Sequence, residues 1–332
     1  MKTVSVLRDT RAVSWRRLSN TKLTISMDNF SLTEPANWKS SRPRPMNTNS
    51  QLPAFIFFGT DEFAVTILGE LKRLGPVPEL NITTPDHRGG PDRSPAPPVK
   101  LWAEENKISC RQPSDLKFET NGLEKINAEL FVVASYGQII PPEIIARPRH
   151  GILNVHPSLL PKFRGSTPIH SAILAGAEET GVTIMLLDEQ VDHGPILQSE
   201  SYELVGKNYL EARDSLAKLG AELLFEVIPK WINGEIVAKP QDHAQATFTK
   251  KIKKEDGEIN LATDPELNYR KFLAYQSWPG IYFFINHAGR KIRVLVTDAK
   301  LENGRFLVTR VKPEGRNDMS WNDFERGFNV EI

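Results

Sequence analysis

The residues best suited to chemistry are an asparagine and a histidine two positions apart, Asn154 and His156, and an aspartate further along, Asp192. Residues two apart on a strand point to the same face, so the amide and the imidazole can face one point. An amide that donates to an oxyanion, an imidazole that moves a proton and a carboxylate that orients the ring together suit acyl transfer. We therefore predict that Asn154, His156 and Asp192 form a catalytic set.

Two strands must position this set. The apolar run 151–153 leads into Asn154, and two prolines at 157 and 161 stop the strand and bracket a turn. A second apolar run, 182–187, leads to the glycine-containing loop that carries Asp192. Each residue also has an ordinary interpretation: Asn154 or Asp192 can cap a turn or loop, and a lone histidine is more often structural. Their joint spacing favours catalysis.

The rest of the first two thirds of the chain is typical of an α/β fold. Residues 55–58 form a fully apolar run, as in buried parallel strands, and Gly59 starts a turn into a helical pattern. Strand, glycine turn and helix open a doubly wound fold, which binds ligands at the carboxyl ends of its strands. Further strands are predicted at 77–83 and 130–134, and 207–233 has the periodicity of a covering helix. The chain has no GxGxxG motif, which disfavours a nicotinamide enzyme.

The last part of the chain alternates β-type runs with turns and predicts a small barrel. The runs are 281–285, 291–297 and 305–311, with hairpin turns at 286–289 and 302–304. At 332 residues the chain exceeds the usual size of one domain. We predict four parts: an N-terminal extension (1–50), a catalytic domain (51–238), a basic linker (239–256) and a C-terminal β domain (257–332).

Residues 1–50 contain nine Lys or Arg against three acidic residues and show no sustained periodicity, which predicts disorder. They fit an extension of a bacterial-type cytoplasmic protein, with Met46 as an alternative start, or a transit peptide that directs the chain to the mitochondrial matrix. The net charge of +1 neither supports nor excludes an RNA partner. No apolar run approaches the roughly 18 residues of a membrane span. The one cysteine, Cys110, cannot form an internal disulfide, and we expect an inert, packed thiol in a reducing compartment.

Five segments, in order, carry a resemblance to a known family: 57–64 (FFGTDEFA), 83–100, 132–141, 154–169 (NVHPSLLPKFRGSTPI) and 180–197 (TGVTIMLLDEQVDHGPIL). Over about residues 55–330 the chain resembles the formyltransferases that use 10-formyltetrahydrofolate, and most of all the members that act on initiator methionyl-tRNA. The resemblance implies a Rossmann-like, doubly wound parallel sheet (the formyltransferase fold), followed by a small OB-like β-barrel domain. It also implies a folate co-substrate and a tRNA partner. Seven scattered histidines, one cysteine and the lack of an HExxH motif predict no metal site, and we expect a monomer.

The resemblance further implies which residues bind the two substrates. The folate site comprises the turn after the strand 130–134 and the SLLP turn, namely Ala134, Tyr136, Gly137, Gln138, Ile139, Ile140, Ser158, Leu159, Leu160 and Pro161. The tRNA site comprises basic residues of three segments, namely Arg88, Arg93, Arg164, Lys250, Lys251, Lys253 and Lys254. Two simpler interpretations stay open, because Arg164 can instead brace its loop and the lysine cluster can be an ordinary solvated linker.

By the same resemblance, the formyl group passes directly from N10 of the folate to an α-amine, with no covalent enzyme intermediate. Asn154 and His156 stabilise the oxyanion, and Asp192 orients the ring and receives the proton. The main competing function is that of a formyltransferase acting on an amino-sugar nucleotide. Glycinamide ribonucleotide formylation, delivery of the formyl group to water in a larger fusion, and a non-enzymatic RNA-binding role also stay open.

Overall fold

The computed structural model describes residues 52–86, 96–118, 123, 126 and 128–328. The predicted extension 1–50 lies outside these described residues, as do Arg88 and Arg93 of the predicted tRNA site.

A seven-stranded sheet, in the order β3-β2-β1-β4-β5-β6-β7, organises the first two thirds of the described chain. Its strands are β1 (Phe55–Gly59), β2 (Leu80–Ile82), β3 (Cys110–Arg111), β4 (Leu130–Ala134), β5 (Ile152–His156), β6 (Glu179–Leu186) and β7 (Ile196–Glu203). The predicted parallel arrangement is confirmed for β1 to β5. In contrast, β6 pairs antiparallel with β5, and β7 pairs antiparallel with β6.

The connection between β5 and β6, residues 157–178, contains one short helix, Pro168–Leu174, of seven residues. This helix rises about 10 Å, less than half of the roughly 27 Å that the eight-residue β6 spans, so the helix itself does not carry the chain back along the sheet. Strand β6 instead starts from the end of the sheet at which β5 finishes, and Thr183 of β6 pairs with His156. The reversal brings the end of β6 and its following loop back toward the start of β5.

Seven α-helices accompany the two sheets in the described residues. They are α1 (Glu62–Leu74), α2 (Pro98–Glu105), α3 (Pro142–Ile145), α4 (Pro168–Leu174), α5 (Tyr209–Ile232), α6 (Pro265–Ala274) and α7 (Trp321–Phe328). The predicted covering helix is confirmed as α5, which begins with a capping box in which Asn208 and Glu211 exchange side-chain and backbone hydrogen bonds. No helix within the described ranges combines the length and apolar character that crossing a membrane requires.

Both faces of the seven-stranded sheet are buried, because side chains of β1 alternate between two hydrophobic clusters. Phe55 and Phe57 pack on the side that carries α1, α4 and α5. Ile56 and Phe58 pack on the opposite side, where Phe58 contacts the Tyr136 ring edge to face at 5.5 Å between centroids. The first cluster continues past the sheet and includes residues of α6, the C-terminal strands and α7.

Strand β3 forms one edge of the seven-stranded sheet, opposite β7, and begins with the half-buried Cys110. Burial raises the pKa of the Cys110 thiol to about 11. This agrees with the expectation of a packed, unreactive thiol.

The C-terminal strands form a four-stranded antiparallel sheet in the order β11-β10-β9-β8. The strands are β8 (Ile281–His287), β9 (Arg290–Glu302), β10 (Arg305–Pro313) and β11 (Met319–Ser320). Both predicted hairpin turns are confirmed, one between β8 and β9 and one between β9 and β10. No pairing joins β8 to β11 in the part of the chain that the structure describes, so the OB-like module has the form of an open sheet with α7 against it.

Between the two sheets runs the connecting segment (residues 239–256), which is largely irregular. It makes two isolated bridges to the first sheet region, from Lys239 to Ile196 and from Phe248 to Arg164. The segment therefore passes along the loops that follow β5 and β6.

Candidate active site

Asn154, His156 and Asp192 meet at one point. Asn154 and His156 are both buried at the end of β5, and Asp192 reaches them from the loop 187–195 between β6 and β7. The Asn154 amide donates to Asp192 Oδ1 at 3.2 Å, and His156 Nδ1 lies 3.5 Å from the same oxygen. His156 Nε2 faces the carbonyl oxygen of Phe163 at 3.1 Å. Both ring nitrogens of His156 thus face oxygen atoms of the protein.

The backbone around Asp192 holds the carboxylate in place. The second carboxylate oxygen of Asp192, Oδ2, accepts a hydrogen bond from the Gly165 N–H at 2.7 Å. The Asp192 backbone has φ of 48°, a left-handed conformation that aspartate and asparagine adopt more readily than most residues. At Gly194, an added Cβ would lie 2.0 Å from the Leu186 carbonyl oxygen, so only glycine fits at this position of the loop.

A cavity of about 520 Å³ opens beside the three residues. One wall is the turn that follows β4, where Tyr136, Gly137, Gln138, Ile139 and Ile140 line the space. The turn is anchored by Thr60, whose hydroxyl donates to the Tyr136 carbonyl oxygen at 2.6 Å. Ile139 is 91% exposed, so an apolar side chain stands at the cavity without a packing partner of its own. These five residues were all predicted for the folate, whereas Ala134 lies beneath them, fully buried at the end of β4.

The SLLP turn does not reach this cavity wall. None of its four residues, Ser158, Leu159, Leu160 and Pro161, lines the cavity. The Ser158 hydroxyl donates to the Lys162 carbonyl oxygen at 2.7 Å, and the Leu160 N–H donates to the Thr183 hydroxyl at 3.2 Å. The first contact closes the turn on itself and the second ties it to β6, so the turn supports the site without lining its cavity.

The basic residues predicted for tRNA fall into two groups. Lys250, Lys251, Lys253 and Lys254 are all exposed on the connecting segment. Arg164 is only 3% exposed, and its guanidinium donates to Gln241 Oε1 from Nε at 3.2 Å and from a terminal nitrogen at 2.6 Å. This burial favours the interpretation in which Arg164 braces its loop.

Sequence reasoning missed an aspartate and a serine on the cavity wall. Asp61 caps α1 by accepting from the Phe63 and Ala64 N–H groups, and it also accepts from the Ser135 hydroxyl. Desolvation by surrounding protein raises the pKa of the Asp61 carboxyl although the residue keeps an exposed surface, and these hydrogen bonds oppose the rise. The position of Asp61, directly after β1 and its glycine turn, is the signal that could have identified it.

A second missed pair is His170 of α4 with Tyr209 of α5. Sequence analysis gave His170 no role, but both residues line the cavity and their rings stack with centroids 4.0 Å apart. Burial lowers the pKa of His170 to about 4, so the ring is neutral at neutral pH. Arg213, one helical turn beyond Tyr209, also lines the cavity. Nothing in the local sequence marks these residues, because two helices bring them together.

No group of three or more His, Cys, Asp or Glu side chains that could hold a metal ion occurs within the described ranges. The three groups that meet at the catalytic point, the Asn154 amide, the His156 imidazole and the Asp192 carboxylate, suit hydrogen bonding to an organic substrate.

Comparison with known proteins places this geometry in context. The family described as formyl transferase matches residues 54–228. A methionyl-tRNA formyltransferase from Chloroflexus aurantiacus is 41% identical, covering 72% of this chain and 78% of its own length. A methionyl-tRNA formyltransferase from Thermus thermophilus is 35% identical, covering 82% of this chain and 96% of its own length.

Two solved structures are similar in fold. The methionyl-tRNA formyltransferase from Clostridium thermocellum has a TM-score of 0.53 at 18% identity and covers 81% of this chain and 100% of its own. A 4-N formyltransferase from Francisella tularensis has a TM-score of 0.56 at 23% identity and covers 72% of this chain and 95% of its own. At these identities the likeness concerns the fold alone.

Proposed function

Because the chain belongs to the formyl transferase family, we propose that it transfers the formyl group of 10-formyltetrahydrofolate to the α-amine of initiator methionyl-tRNA. The product, formylmethionyl-tRNA, serves translation initiation. The observation that carries this proposal is the meeting of Asn154, His156 and Asp192 at the edge of the 520 Å³ cavity. The coverage of the Thermus thermophilus relative, 96% of its own length, supports the tRNA acceptor over the amino-sugar nucleotide.

The reaction begins with loss of a proton from the acceptor ammonium, because only the neutral amine attacks. The Asp192 carboxylate takes up that proton, directly or through a water. The amine nitrogen then bonds to the formyl carbon, and the electron pair of the C=O bond moves onto oxygen. Asn154 has a second amide hydrogen beyond the one that it donates to Asp192, and this hydrogen serves the new oxyanion.

His156 supplies the second donor to the oxyanion. The His156 ring lies between Asp192 Oδ1 and the Phe163 carbonyl oxygen, and a small rotation that exchanges one of these acceptors for the substrate oxygen lets a ring N–H donate to the oxyanion. One correctly placed donor to the oxyanion is worth about 3–4 kcal/mol in the barrier. The attacking nitrogen, which is cationic after it bonds to carbon, gives up its second proton, and N10 takes up this proton directly or through a water. Collapse of the intermediate then restores the C=O bond and breaks the bond to N10, so formylated amine and tetrahydrofolate leave, and Asp192 releases the first proton to solvent.

The folate fits the wall formed by the turn after β4. A pterin is planar, with several donors and acceptors, and the polar groups of residues 136–140, which line the cavity, can match them. The positively charged residues on the connecting segment, from Lys250 to Lys254, suit the phosphates of the tRNA acceptor end. We propose a monomer that works in the bacterial-type cytoplasm, with the mitochondrial matrix as the alternative compartment.

The test measures formyl transfer from 10-formyltetrahydrofolate to methionyl initiator tRNA by the wild type and by Asp192→Asn. We expect the variant to lose about 10²- to 10⁴-fold in kcat, the usual contribution of a positioned acid or base. Asp323→Asn, an exposed change in α7, is the matched control and should retain full activity. If the protein formylates an amino-sugar nucleotide but no charged tRNA, the proposed acceptor is wrong. If it turns over 10-formyltetrahydrofolate with no amine at all, the proposal that it is a formyltransferase is wrong.

A further inference from the structure

Gln241, a buried glutamine of the connecting segment, uses every hydrogen-bonding position of its side chain. Its Nε2 donates to the Asp192 carbonyl oxygen at 2.9 Å and to the Gly194 carbonyl oxygen at 2.7 Å. Its Oε1 accepts the two hydrogen bonds from the guanidinium of Arg164. At 6% exposure the side chain is shielded from water, so these four bonds have no solvent substitute.

The four bonds join the two loops that build the catalytic centre. One loop carries Asp192 and Gly194. The other carries Phe163, whose carbonyl oxygen faces the His156 ring, and Gly165, whose N–H donates to the Asp192 carboxylate. Arg164 lies between these two residues, so a displacement of its guanidinium would move both contacts.

Arg164 itself is held without a carboxylate. No ion pair within the described residues includes it, although it is nearly fully buried. Besides Gln241, its guanidinium donates to His243 Nδ1 at 2.9 Å. Its backbone pairs with the connecting segment, with N–H donating to the Thr247 carbonyl at 2.8 Å and C=O accepting from the Thr249 N–H at 2.7 Å. A buried cation is costly unless its donors are satisfied, which ties this loop to residues 241–249.

We propose that Gln241 is a positioning residue of the transfer reaction: with Arg164 it fixes the loop of Asp192 relative to His156. It does not touch the substrate. It acts by holding the Asp192 backbone in its left-handed conformation, so the carboxylate keeps its contacts with Asn154 and Gly165. The inference deepens the proposed function and rests on it.

Two substitutions separate this role from simple bracing of Arg164. Gln241→Glu keeps an acceptor for the guanidinium, and even gives it a counter-charge, but replaces the donor facing the Asp192 and Gly194 carbonyls with a repelling oxygen. Gln241→Met keeps the length of the side chain and removes donor and acceptor together. Gln245→Met is the control, since Gln245 belongs to the same segment but is exposed and its side chain bonds to Asp242.

The experiment measures kcat and KM for formyl transfer, together with equilibrium binding of 5-formyltetrahydrofolate as a non-reacting probe. We expect Gln241→Glu and Gln241→Met to lower kcat by about 10- to 100-fold, as small misplacements of catalytic groups do. KM for the folate and binding of the probe should stay within about twofold of the wild type, because Gln241 does not line the cavity and its hydrogen bonds go to Arg164, Asp192 and Gly194.

Each outcome decides one question. Full kcat in Gln241→Glu with a loss in Gln241→Met would reduce Gln241 to a brace for Arg164 and overturn the inference. Equal losses of kcat and probe binding in both variants would mean general damage to the fold and would overturn it as well. If Gln241→Met fails to fold, Gln241→Glu alone still tests the donor role. If the wild type binds the probe but transfers the formyl group to no acceptor, the proposed function is wrong, whatever the variants do.

Discussion

At the scale of single residues, Asp192 is fixed before any substrate arrives. Both carboxylate oxygens already accept hydrogen bonds, and the backbone carbonyl of the same residue accepts one from Gln241. Groups that are preorganised in this way need no rearrangement during the reaction. The types and spacing of Asn154, His156 and Asp192 were visible in the sequence. Gln241 was not, because its role depends on a segment 49 residues further along that packs against the loop.

The depressed pKa of His170 predicts a pH dependence of stability. The folded-state pKa is about 4, against the ordinary histidine value of 6.5. Between these values the unfolded chain binds a proton that the folded chain does not, so the contribution of His170 to stability falls as the pH falls from about 6.5 toward 4. We expect His170→Phe, which keeps a ring to stack on Tyr209, to lose less Tm between pH 7 and pH 5 than the wild type. An equal loss in both proteins would show that His170 is not a source of acid sensitivity.

At the scale of secondary-structure elements, short-range patterns predicted β1, β4, α5 and the C-terminal hairpins well. Each is specified by its own apolar periodicity and by the turn or cap beside it. The direction of β6 was not predictable from such a pattern. It depends on the path of the connection between β5 and β6, including its short helix α4, and not on the pattern of the strand itself.

Two glycines, one in a helix and one in a strand, should respond in opposite directions to alanine. Gly69 is exposed in α1 and an added Cβ would meet nothing within 4 Å, so Gly69→Ala should raise the free energy of unfolding by about 0.5–1 kcal/mol. In β6, a Cβ at Gly181 would lie 2.2 Å from the Glu200 carbonyl oxygen. Gly181→Ala should therefore lower the free energy of unfolding by about 1–3 kcal/mol. Urea unfolding measures both, and a change of the same sign in both variants would contradict the prediction.

At the scale of the whole described chain, one hydrophobic cluster extends from β1 to α7. His170 of α4 lies against Tyr209 of α5 and within 6.4 Å, centroid to centroid, of Tyr275 at the end of α6. The cavity wall therefore shares its packing with the elements that lead to the C-terminal sheet. The sequence indicated two modules but not this continuity, because contacts between distant segments leave no local periodicity.

A substitution at Phe324 tests whether the two sheets share one hydrophobic core. It is fully buried in α7 and contacts the Phe283 ring edge to face at 6.2 Å between centroids. Phe324→Ala should cost about 3–5 kcal/mol of stability, the usual effect of emptying such a site. Because the cluster is shared, loss of formyl transfer and loss of helical circular dichroism should still coincide on heating. Activity that survives the unfolding of the C-terminal sheet would show that the two sheets unfold independently.

The single thiol of the chain has a practical consequence. With a pKa of about 11, Cys110 is ionised in only about one molecule in ten thousand at pH 7, and the thiolate is the form that alkylating reagents attack. A cysteine introduced at an exposed position, such as Gln245 on the connecting segment, can then be labelled in the presence of Cys110. The native protein thus serves directly as the background for a fluorescent or spin reporter of how the connecting segment responds when tRNA binds.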